Sequence, residues 1–67
     1  MDAAQTLWEA QARHKNRDNL IDKLESELGW TNEQVRVAAE ELQARGLVRA
    51  VLNDYDGGSP RIIAFEV

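Results

Sequence analysis

GWTNEQVRVAAEELQARGLV, Gly29 to Val48, carries the start and stop signals of a single helix. Thr31 and Gln34 have the S/T-x-x-E/Q spacing of a capping box, in which the Thr31 hydroxyl accepts the Gln34 N–H and the Gln34 side chain reaches back to the cap. Trp30 before the cap and Val35 at the fourth helical position fit a hydrophobic staple. Val35, Ala38, Ala39 and Leu42 recur at i, i+3, i+4 and i+7, a core-facing stripe whose two alanines let another helix approach closely. Gly46 is placed to supply the left-handed residue that ends the helix, and Arg45 brings a cation to its negative dipole end. The helix is expected over residues 32–45.

Upstream, Leu20, Ile21, Leu24 and Leu28 form the apolar stripe of a second helix over 19–28, with Asp18 as its expected cap and Asp22, Glu25 and Glu27 off the stripe. Before it, RHKNR (Arg13 to Arg17) is a polar connector with three cations. The first helix, 2–14, starts at Asp2 and carries Ala4, Leu7, Trp8 and Gln11 at helical spacing. Trp8 is expected in the core; exposed, it would make the first helix a homodimer interface.

Downstream the period changes. Residues 47–52 and 61–67 are rich in Val, Ile, Leu and Phe, as strands are, and NDYDGGSP between them is dense in turn formers. Pro60 has no N–H and belongs at the strand's edge or start. On the last strand the face with Ile63, Phe65 and Val67 is expected to be buried, and the face with Ile62 and Ala64 less so. The fold class is α+β with the order α-α-α-β-β, one domain over 1–67, and the hairpin must pack on the helices because an isolated one is marginal in water.

With 67 residues the core is thin: such a chain buries only about 60% of its unfolded surface. Cys is absent, which excludes disulfides and thiolate metal sites. No apolar run approaches the ~18 residues of a membrane span, and the N-terminal stretch has no basic n-region or apolar h-region, so a cytoplasmic location is expected. Twelve acids against eight bases give a net charge of −4. That disfavours nucleic acid overall, although a local basic patch can sit on an acidic body.

Catalytic and metal chemistry find little here. His14 is the single histidine, so a zinc site is not expected. The loop Asp54 to Gly58 superficially fits a calcium loop but has Phe65 where the twelfth-position acid belongs. Ser26 and Ser59 have no evident triad partners, and Glu40 and Glu41 diverge on a helix. No enzyme, cofactor or metal is expected.

The element order and the residues LESELGWTNEQVRVAAEELQARGLVR resemble the winged helix-turn-helix family of bacterial and archaeal transcription regulators. The resemblance covers about Asn19 to Phe65. Its pattern is a short helix ending Leu-Gly-apolar-Ser/Thr, here Leu28, Gly29, Trp30 and Thr31. A recognition helix ending Leu-x-x-x-Gly-Leu-Val/Ile follows, here Leu42, Gly46, Leu47 and Val48, and then a two-stranded wing. The chain departs from the pattern at Glu25, where many members carry Ala; the acid must swing to water or the helices pack differently. It departs again at the wing tip, with Asp54 and Asp56 where a basic tip is common.

The resemblance implies binding to double-stranded DNA and transcription regulation, with Asn32, Arg36 and Val37 reading bases and Arg13, Lys15, Arg17, Arg49 and Arg61 holding phosphates. Tyr55 at the tip would stack on a base or lie across the wing. The wheel of the third helix is less favourable: opposite its core stripe lie Glu33, Val37, Glu40 and Ala44, flanked by Arg36 and Glu41. Two other uses of that face stay open. It is a solvated surface laced by Glu41–Arg45 and Arg36–Glu40 pairs, or it meets a protein partner through Val37, Ala44 and the wing. A positive stripe joining Arg17, Arg36 and Arg61 would favour DNA.

Overall fold

Three helices are followed by a two-stranded antiparallel sheet: α1 (Ala3–Ala12), α2 (Leu20–Leu28), α3 (Asn32–Ala44), β1 (Arg49–Asn53) and β2 (Arg61–Glu66). The computed structural model describes residues 2–53, 58 and 60–67. The expectations for Asp54, Tyr55, Asp56 and Ser59 lie outside these residues.

The layout is the expected one, and the local signals around α3 do what their chemistry requires. Thr31 Oγ1 accepts the Gln34 N–H at 3.2 Å, and the Thr31 N–H donates to Gln34 Oε1 at 2.7 Å, closing the capping box. At the other end Gly46 takes φ +79°. Its N–H bonds the Gln43 carbonyl at 2.9 Å and the Leu47 N–H bonds the Leu42 carbonyl at 3.0 Å, the paired bonds of a Schellman motif. Leu47 is thereby held in the helix stop, and β1 starts two residues later than the expected 47. Gly29, at φ +69°, ends α2 in the same left-handed conformation and lets the chain turn directly into the Thr31 cap.

The start of α2 differs from expectation. Asp18 does not cap it: its N–H is taken by Asn16 Oδ1 at 2.9 Å, and the cap position is Asn19, at φ 54° with no side-chain capping bond. A left-handed residue other than Gly is sterically costly, and Asn tolerates it better than most. At the first helix Asp2 does cap, Oδ1 accepting the Ala4 N–H at 3.0 Å. α1 ends at Ala12 rather than His14: the Arg13 and His14 N–H groups tighten onto the carbonyls three residues back, Ala10 at 3.2 Å and Gln11 at 3.1 Å, and Arg17 Nη1 donates to the Gln11 carbonyl at 2.9 Å and the His14 carbonyl at 3.4 Å. Arg45 bonds Asp2 Oδ2 at 3.0 Å, so its ion partner stands at the start of α1 and not at Glu41 one turn back.

The sheet corrects the facing expected for the last strand. In the register Val51 pairs with Ala64 and Leu52 with Ile62, which leaves Ile63 as an extra residue in β2. A bulge of one residue rotates the alternation of everything after it. Ile62 (1% exposed) and Phe65 (5%), three residues apart, therefore both face the helices, and Ile63 (53%) faces out. The core they join contains Leu7, Leu20, Ile21, Leu24, Val35, Ala38, Ala39, Leu42 and Val48, with Trp8, Leu28, Trp30 and Ala50 packed at its margin. Trp8 is thus partly buried against the core. No helix among the described residues is long and apolar enough to cross a membrane.

Candidate nucleic-acid interface

α3 is tied to the sheet at both ends by amide side chains. In its first turn, Asn32 Oδ1 accepts the Ile62 N–H at 3.1 Å, and Asn32 Nδ2 donates to the Ile62 carbonyl and to Glu25 Oε2, both at 3.0 Å. In its last turn, Gln43 Oε1 accepts the Ala50 N–H at 2.8 Å. The Glu25 carboxylate thus neither swings out to water nor separates the helices; it takes one of the two Asn32 amide donors. Since an amide has two donors and one carbonyl oxygen, both Asn32 donors are engaged and its oxygen holds a backbone N–H. The residue expected to read a base is the joint between α2, α3 and β2.

Arg36 lies one turn further on. Its side chain is only 17% exposed, and its guanidinium sits between Glu40 Oε1 at 3.2 Å and Glu33 Oε1 at 3.8 Å. Its Nε is buried without a hydrogen-bond partner among the described residues. Two carboxylates around one guanidinium leave this part of the α3 ridge with a negative balance. Arg36 shares a cleft of about 200 Å³ with Asn32, Glu33, Pro60 and Arg61, between α3 and the wing. Val37 is on the other flank of the helix and does not line this cleft.

The five expected phosphate contacts divide in the same way. Arg13 Nη2 is 3.4 Å from Glu27 Oε2, and His14 Nε2 is 3.5 Å from the same oxygen. Arg17 spends its guanidinium on the carbonyls that end α1 and lies over the Phe65 ring, 5.8 Å from its centroid. Lys15, Arg49 and Arg61 are exposed and form no ion pair with the described residues. Arg49 stands opposite Glu66 in the sheet, and Arg61 opposite Asn53. The two arginines are at opposite ends of the hairpin, roughly 13 Å apart along strands that rise ~3.3 Å per residue. Arg61 lines the α3–wing cleft and also the hollow formed by Asn19, Ile21, Asp22 and Ile63. The stripe joining Arg17, Arg36 and Arg61 is interrupted: Arg61 has no ion pair among the described residues, Arg36 is neutralised by Glu40 and Glu33, and Arg17 is spent on the backbone.

The clamps at Asn32 and Gln43 were not visible in the sequence, because their partners lie in strands whose position no local pattern gives. Comparison with known proteins finds no family model, curated protein or solved structure that matches this chain.

Proposed function

We propose that this chain is a winged-helix module that holds duplex DNA mainly by its phosphates, acting in the cytoplasm as a small transcription regulator. The observation that carries the reading is Arg61: exposed, without an ion partner among the described residues, and placed where the first turn of α3 meets the wing strand. Arg49 further along the hairpin and Lys15 in the α1–α2 connector supply the remaining charge. Base readout by α3 is reduced to Val37, which suits a thymine methyl, and to Arg36 once a phosphate or base competes with Glu40. Binding of this kind is weak, tolerant of sequence and strongly salt-dependent, because Glu33, Glu40 and Glu41 oppose the approach of the helix. Titrating labelled mixed-sequence duplex with the folded protein at low salt tests this. Binding that weakens in Arg61→Ala supports it, and no binding at low salt overturns it.

A second reading is favoured by the same acidic ridge together with Val37, which is 45% exposed. On it, α3 meets a protein. Ala44 and the wing, expected to share that contact, do not line the groove in which Val37 lies.

A further inference from the structure

On the flank of α3 away from the wing, Ala3, Trp30, Val37 and Ala38 line an open groove of about 400 Å³ between α1 and α3. The groove is concave because small side chains make its floor. Ala38 is buried and Ala3 has only a methyl, while Trp30 forms a wall. Among the described residues its remaining lining is Glu33, Gln34 and Glu41, with no cation; Arg36 reaches Glu33 from the other flank at 3.8 Å, and Glu41 has no ion partner. Glu33, Val37 and Glu41 are spaced by four and form one ridge, with the exposed Val37 midway between two carboxylates.

We infer that this groove docks an amphipathic helix of a partner protein, one that presents apolar anchors a turn apart flanked by Lys or Arg. Apolar anchors fill the space over Ala38 beside Trp30, and cations one turn to either side meet Glu33 and Glu41. The charge pattern excludes the simpler occupants. A second copy packed antiparallel through Val37 sets Glu33 against Glu41 of the other copy, and a parallel one sets each acid against itself, so self-pairing is repulsive in both directions. Duplex DNA and anionic lipid are repelled by the same two carboxylates. The groove is on the α1 side and does not include Arg61; it shares Val37 with the DNA reading, so helix and duplex compete for that side chain, while the phosphate contacts of Arg61, Arg49 and Lys15 are tested apart from it.

The test uses the whole chain, isotope-labelled, with two synthetic peptides of about 14 residues: a Leu/Lys amphipathic helix and its twin with Glu in place of Lys. The Leu/Lys peptide is expected to shift the Trp30 indole N–H, the Val37 methyls and Ala38, and the Glu twin to shift none of them. Glu41→Lys and, separately, Val37→Ser should each weaken the Leu/Lys peptide about tenfold while the spectrum stays dispersed, as both side chains are exposed. Shifts that map to another surface, equal binding of both peptides, affinities unchanged in both variants, or broadening of the groove signals with protein concentration alone would overturn the proposal.

Discussion

Asn32 shows how far a residue's type can mislead about its use. An Asn in the first turn of a helix-turn-helix suggests base contact, yet its partner Ile62 is 30 residues away and its amide is filled by that backbone and by Glu25. Asn32→Ala leaves a buried strand N–H and carbonyl without partners, so it should cost about 1–3 kcal/mol in urea unfolding, a loss that a solvent-facing base reader would not show. Asn19 carries a different liability. Asn19→Ala should destabilise by about 1 kcal/mol because the short polar side chain of Asn tolerates the left-handed backbone better than the methyl of Ala, whereas Asn19→Gly, which has no Cβ, should leave stability within a few tenths. The sequence favoured Asp18 there, since both neighbours are good caps and nothing local marks which takes the left-handed turn. Glu40→Gln releases one carboxylate from Arg36, and if α3 faces DNA it should tighten duplex binding several-fold at low salt.

At the scale of elements, the capping box and the Gly46 stop were legible because every atom involved lies within one helical turn or two of its partner. The facing of β2 was not, because a bulge is set by pairing with β1. Regular alternation would bury Ile63 with Phe65; the bulge buries Ile62 with Phe65 instead. Ile62→Ala should therefore cost about 2–5 kcal/mol in chemical denaturation, and Ile63→Ala no more than about 0.5 kcal/mol. The reverse order would restore the regular strand. The bulge also turns the apolar Ile63 outward beside Arg61, so the wing strand presents both a cation and an apolar side chain to whatever meets that hollow.

For the molecule as a whole, one ion pair closes the helical layer. Asp2, the cap of α1, reaches Arg45 at the end of α3, and this hydrogen bond, with help from the Ala4 N–H, holds the Asp2 carboxyl below its ordinary value of 3.8. A carboxylate with a lowered folded pKa adds stability above its unfolded pKa and loses it as pH falls through the folded one. Thermal unfolding followed below about pH 4 should accordingly fall less steeply for Asp2→Asn, which removes the titrating group and keeps an oxygen to cap α1. Composition announced an acidic protein; the distribution of partners was hidden. Three of the expected phosphate contacts stay free of ion pairs among the described residues, while Arg13, Arg17 and Arg36 are held by Glu27, by the end of α1 and by Glu33 with Glu40.

The salt dependence of duplex binding is where those three cations register most directly. Neutralising about three phosphates gives a slope of log K against log salt near −2.7, at roughly −0.9 per contact, and removing Arg61 should bring it to about −1.8. A slope near zero, or one that Arg61→Ala leaves unchanged, would contradict a phosphate-held complex centred on the cleft between α3 and the wing.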